Sequence, residues 1–385
     1  MPFFVMFLTI LFSVSLGVHY VVLHRLSRIF EFHYSWKVFP LFVLITANFL
    51  AVIFLSRVVW NSAMRLWWIA TVTYIGALWI TFAVVVVYAV IQLAAHVVAP
   101  IPARVSQTLV VGVTLTLVLY SLYNARRIEV HTLEFSSPKL REPLTIVQLT
   151  DLHLGALNGA GYVERIVAQT NALQPDVVAL TGDLVDIGTT ADILHGFNNL
   201  NAPAFFVWGN HDQFLREDEV TRIFSATPIQ ILKNETRIFQ NTLEIIGLDY
   251  IERQPEPHND ARPILTSLDP RGELFTLLLT HAPLPFEQMD GHPIDLQLAG
   301  HTHAGQIVPF NLLVKTRYPN IRGLYQSGNR AIYVSSGAGT WGPPMRLGTR
   351  SEITVIHLRP LPPDSKQQLL VRRFGKTAEI GFNTN

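Results

Sequence analysis

Five short clusters of residues able to do chemistry punctuate the second half of the chain. They are Asp151-Leu152-His153, Gly182-Asp183, Gly209-Asn210-His211-Asp212, His281, and Gly300-His301-Thr302-His303. Between them they offer carboxylate, amide and imidazole groups, and the chain holds no cysteine, so any metal bound here is held through oxygen and nitrogen alone. Donors of that hardness suit Mn, Fe or Zn. Asp151, His153, Asp183, Asn210, His281, His301 and His303 together are about the number of ligands that a dinuclear centre needs. Singly, each cluster has an ordinary reading: a carboxylate and an imidazole at a strand end, or a Gly-Asn turn that tolerates positive φ. His301-x-His303 is a stronger signal, because on a strand the period of two puts both imidazoles on one face. Their joint order along the chain is what chance does not supply.

These side chains need elements to present them. From Leu144 onward, short β-rich runs alternate with helical stretches, the pattern of an α/β fold. The runs over residues 144–150, 176–181, 204–208, 275–280 and 295–299 each end immediately before one of the clusters. In α/β sheets, sites gather at these carboxyl ends of strands.

The order and spelling of the clusters resemble the calcineurin-like metallophosphoesterase superfamily over about residues 144–358. The resemblance implies a four-layer α/β/β/α sandwich and two divalent metal ions as cofactors. It implies one ion on Asp151, His153, Asp183 and His303, and the other on Asp183, Asn210, His281 and His301, so that Asp183 bridges. Hydrolysis would then follow attack by a hydroxide generated between the two ions. His211 is expected over the site, as a proton donor to the leaving oxygen or a stabiliser of phosphoryl charge, with Asp186 orienting it and Asp212 in a structural role.

The superfamily's serine/threonine protein phosphatases place an Arg after the position of Asp186 and a Glu after the motif histidine. Here those places hold Ile187 and Asp212, which argues against phosphoprotein substrates and favours phosphodiesters or pyrophosphates. The stretches at 300–306 and 335–346 resemble the bacterial, membrane-associated phosphodiesterase branch. Trp341, Pro343, Pro344 and Met345 read as an apolar rim, with Arg346 able to meet a substrate phosphate. The alternative reading is a metal-binding sensor or regulatory domain without turnover.

The first third is of another kind. Only Arg25, Arg28, Glu31, Lys37, Arg57, Arg65 and Arg104 carry charge before Arg126. Residues 2–23, 38–56, 66–98 and 105–125 are free of Asp, Glu, Lys and Arg, each long enough for a membrane span of about 20 residues. The expected organisation is an all-α transmembrane region of about four helices over 1–125, a linker and lead-in over 126–143, the hydrolase domain over 144–358, and a loose polar tail over 359–385. A multi-pass protein of the bacterial inner membrane follows, acting on a phosphoester substrate that includes lipids among its candidates. A net charge of +1 without a basic, aromatic-interleaved stripe excludes a nucleic-acid partner from the reading.

Overall fold

The computed structural model describes residues 2–95, 101–214, 217–225, 227–253, 260–361 and 370–377. The chain divides into two compact units, Met1–Asn124 with Gly342–Leu347, and Ala125–Trp341 with Gly348–Asn385.

The first unit is helical: α1 (Pro2–Phe30), α2 (Phe39–Leu55), α3 (Ser62–Ala95) and α4 (Ala103–Ala125). Three stretches, Trp36–Leu55, Ser62–Ala95 and Ala103–Ala125, are long and apolar enough to cross a membrane. The span expected at 2–23 falls within α1, part of whose side chains lie outside the described residues. Of the span expected at 66–98, residues 96–98 lie outside them as well. Leu44, Leu66, Val90 and Leu93 are exposed, which suits a hydrocarbon surrounding rather than water. Inside the bundle, His19 bridges the Ser15 carbonyl and the Tyr74 hydroxyl, both at 2.8 Å. Gly342–Leu347 cluster with this unit: the Arg346 N–H donates to the Ser121 carbonyl at 2.9 Å, and the Asn124 amide donates to the Arg346 carbonyl at 2.9 Å. Met345 and Arg346 are fully buried and Pro343 and Pro344 half-buried, so Met345 and Arg346 do not form part of an exposed rim.

The second unit holds two sheets. The strands are β1 (Ile128–Ser137), β2 (Leu144–Leu149), β3 (Val177–Thr181), β4 (Ala204–Val207), β5 (Ile229–Ile231), β6 (Glu235–Phe239), β7 (Leu243–Gly247), β8 (Phe275–Leu279), β9 (Leu296–Ala299), β10 (Gly323–Ser327), β11 (Arg330–Val334), β12 (Ser351–Pro360) and β13 (Leu370–Thr377). One sheet runs β13-β1-β12-β2-β3-β4-β5 and the other β10-β11-β9-β8-β7-β6. The helices are α5 (Ala160–Ala172), α6 (Ala191–Leu194), α7 (Glu217–Phe224), α8 (Arg262–Leu268) and α9 (Phe310–Arg317).

Three apolar clusters define the layers. Phe135, Ile146, Val177 and Phe205 of the first sheet meet Ile245, Leu277, Leu296 and Tyr333 of the second. Val147, Leu180 and Phe206 on the other face of the first sheet pack on Val163 and Ile166 of α5. Ile246, Leu278 and Ile332 on the outer face of the second pack on Leu265 of α8. The result is the four-layer α/β/β/α sandwich expected from the sequence. Burial on both faces is why the central strands read as continuous apolar runs rather than alternating ones.

Two boundaries differ from expectation. Residues 126–143, read as a linker, contain β1, which pairs in parallel with β12 along its whole length and with β13 on its other side. Its charges disguised it: Glu129 meets Arg350 and Glu134 meets Arg359, partners more than 200 positions away. The segment 359–385, read as a loose tail, contributes β13; residues 362–369 and 378–385 of it lie outside the described ones.

Candidate metal centre

Each cluster emerges where a strand stops. β2 delivers Asp151 and His153, β3 Asp183, β4 Asn210 and His211, β8 His281, and β9 His301. The chain turns sharply there: Asp151, His153, Asp183, His301 and His303 all have left-handed backbones. Close approach of the turns demands glycine. A Cβ on Gly209 would lie 2.2 Å from Asp183 Oδ1, and one on Gly300 2.3 Å from Asp151 Oδ2.

The structure brings together all nine residues singled out in the sequence. On one side His153 Nε2 and His303 Nε2 are 3.1 Å apart, with Asp151 Oδ1 3.3 Å from the latter. On the other, His281 Nε2 lies 3.0 Å from His301 Nδ1 and 3.1 Å from Asn210 Oδ1. Asp183 Oδ2 stands between the groups, 3.2 Å from His281 Nε2 and 3.8 Å from His153 Nε2. His301 and His303 differ from expectation in one respect: β9 has already ended, so they sit on a turn rather than on one strand face, and they go to the opposite groups that the family resemblance implies.

The outward nitrogens are tied down. His281 Nδ1–H donates to the Thr181 carbonyl at 2.9 Å, so its Nε2 lone pair points inward. His153 Nδ1 lies 3.0 Å from Asp186 Oδ2, and His301 Nε2 2.9 Å from the Tyr318 hydroxyl. Imidazoles held this way by the far nitrogen are the usual ligands of divalent ions. Asp151, Asp183 and His281 are almost wholly shielded from water, and buried carboxylates this close to imidazole nitrogens need a proton or a metal cation between them. This donor set fits two divalent ions, held through oxygen and nitrogen.

Charge shapes the rest. Burial disfavours the charged form of His211, yet the carboxylates of Asp183 and Asp186 outweigh it and hold the imidazole up to about 9. The same contest raises His281 to about 10, with Asp183 as its main anionic neighbour, so an ion taking its Nε2 must displace a proton. His301 is pushed down to about 3 by burial and by the charge on His281, so its Nδ1 is an unprotonated acceptor facing His281 Nε2.

Asp186 links two histidines: its Oδ2 lies 3.3 Å from His211 Nδ1 as well as 3.0 Å from His153 Nδ1, while its Oδ1 accepts from the Ile187 N–H at 2.7 Å. Asp212 is fully buried and holds the turns together, accepting from the N–H groups of Asp183 (2.8 Å), Gly209 (2.7 Å) and Val185 (2.9 Å). Sequence reading missed Tyr250, Glu252 and Tyr318. The Tyr318 hydroxyl donates to Glu252 Oε2 at 2.5 Å and Tyr250 to the same oxygen at 3.2 Å, behind His301. No motif marks them, and only folding brings them to the histidine.

Residues 144–305 match the family model described as calcineurin-like phosphoesterase. An uncharacterized metallophosphoesterase of Campylobacter jejuni is 32% identical over 250 residues, covering 63% of this chain and 67% of that one. The chain belongs to the calcineurin-like phosphoesterase family. A Helicobacter pylori member is 39% identical over 230 residues, 58% of this chain and 61% of its own. A zebrafish (Danio rerio) transmembrane protein with metallophosphoesterase domain is 34% identical over 270 residues, covering 64% of this chain and 61% of that protein. The chain thus spans about three fifths of the length of these two relatives. The calcineurin-like match begins at Leu144, sixteen residues after the unit's own first strand opens at Ile128.

Proposed function

We propose that this calcineurin-like phosphoesterase is a multi-pass membrane protein that hydrolyses a phosphodiester or pyrophosphate bond in a lipid or nucleotide-linked substrate. The position of Asp183 carries the reading: one buried carboxylate oxygen faces a histidine of each donor group. In this reading Asp151, His153, Asp183 and His303 hold one ion, and Asp183, Asn210, His281 and His301 the other. The ions would supply a water ionised near neutral pH and neutralise phosphoryl charge.

The chain's own residues do the remainder. Asp183 Oδ1 accepts from the His211 N–H at 2.8 Å, which seats His211 directly beside the bridging carboxylate. The raised proton affinity of His211 keeps Nε2–H available to the leaving oxygen or to a phosphoryl oxygen. Asp186 fixes that ring from behind and aligns His153 through the same oxygen. Ile187 follows it where the protein phosphatases carry Arg, which supports an uncharged seat for a substrate with two phosphorus-linked substituents. Bacterial relatives and the three apolar spans support the inner membrane as its place.

The test is hydrolysis of bis-p-nitrophenyl phosphate and p-nitrophenyl phosphate by the purified protein, after chelation and after adding Mn. Diester cleavage restored by metal, and absent in Asp183→Ala together with both ions, is the expected result. Wild-type metal content and rate in Asp183→Ala would overturn the bridging role.

A further inference from the structure

The second unit buries its large apolar side chains almost without exception. Among its described residues only Leu312, Leu313 and Trp341 stay exposed, at 65%, 62% and 49%. All three are fastened to the turn that carries the metal-binding histidines. The Gln306 side chain accepts from the Trp341 N–H at 2.8 Å and donates to the Trp341 carbonyl at 2.9 Å. The Trp341 ring then packs edge-on against His211, with centroids 6.2 Å apart. Helix α9, which bears both leucines, starts four residues after Gln306 and presses on the same turn. Its Asn311 lies so close to Gly305 that a Cβ there would meet the Asn311 backbone at 2.2 Å.

No residue of α9 is buried, and its last turn is basic, with Lys315 and Arg317. Arg317 is paired with Glu252 at 3.2 Å, which leaves Lys315 as the cation offered outward. An eight-residue helix with two outward leucines and a basic last turn matches the boundary of an anionic bilayer, where apolar groups enter the acyl region and cations meet headgroup phosphates. Beyond its last residue, Tyr318 reaches His301. The helix is therefore rigidly joined to the centre at both ends.

We propose that α9 and Trp341 form a lip that inserts into the surface of an anionic phospholipid bilayer. The lip would hold the metal centre at headgroup level, so that the substrate is a phosphoester of a lipid headgroup. This deepens the hydrolase reading above and rests on it for the word substrate; the insertion itself does not depend on turnover.

The absence of cysteine allows a clean test. Leu313→Cys, Leu312→Cys and, as a control on the exposed strand β10, Gln326→Cys are each labelled with the fluorophore NBD in the full chain. The labelled proteins are reconstituted in vesicles of phosphatidylcholine and phosphatidylglycerol, with and without lipid carrying a nitroxide high on its acyl chain. A blue shift and loss of fluorescence to the nitroxide at 312 or 313, absent at 326, is the expected result. Water-like emission at 312 and 313 would overturn the lip. So would a blue shift that the nitroxide lipid leaves unquenched, which means that protein, such as a second copy of the chain, covers the helix. Neither outcome touches metal-dependent hydrolysis, which the p-nitrophenyl substrates read separately.

Discussion

Left-handed backbone at Asp151, His153, Asp183, His301 and His303 costs about 1–3 kcal/mol at each non-glycine position, with Asp and His among the more tolerant types. Such strain persists because each turn is over-determined by the packing of its neighbours and by the hydrogen bonds that Asp212 accepts. At this scale the sharpest expectation concerns His211. His211→Gln should lower kcat about 10²–10⁴-fold, the usual contribution of a positioned general acid, while leaving both ions in place by elemental analysis. The loss should be larger for an alkyl leaving group than for p-nitrophenolate, which departs without a proton. Equal losses on the two would leave stabilisation of phosphoryl charge as the role of His211. The identities of the candidate ligands were legible in the sequence because metal chemistry restricts residue type. The tautomers were not, since they depend on Thr181, Asp186 and Tyr318, which lie far from their histidines along the chain.

The elements position the site through strand ends and through the turns that join them. The run boundaries at 144–150, 176–181, 204–208, 275–280 and 295–299 lie within a residue of β2, β3, β4, β8 and β9, because strands buried on both faces leave an unbroken apolar signature. Asp212 turns that scaffold into a fixed geometry. Asp212→Ala would leave the N–H groups of Asp183, Val185 and Gly209 without their carboxylate, at about 1–3 kcal/mol for each buried donor left unmet. A drop of at least that size in denaturant stability of the chelated protein is expected, with Asp212→Asn milder because one amide oxygen can still accept. Unchanged stability in Asp212→Ala would contradict its structural role. By contrast β1 and β13 escaped sequence reading: their pairing partners are remote, and Glu129 and Glu134 of β1 meet Arg350 and Arg359 from far along the chain.

For the whole molecule, an apolar helical unit and a unit of the calcineurin-like phosphoesterase family share one chain. Removal of ions should lower the midpoint of thermal unfolding of the hydrolase unit, since a ligand bound only by the folded state stabilises it by mass action. Calorimetry of the full chain before and after chelation reads this directly, and an unchanged midpoint would speak against bound ions. The helical unit should keep the protein in the membrane pellet through alkaline carbonate extraction, because three apolar spans do not leave hydrocarbon when surface charge is stripped.

The sequence by itself determined the donor set, the α/β class and the apolar spans, each being a matter of residue type or of periodicity over neighbouring positions. Tertiary structure alone decided two other things: that Tyr318 and Glu252 stand behind the centre, and that Leu312, Leu313 and Trp341 remain uncovered beside it. These are relations between distant segments, and they come into being only when folding closes the loops between them.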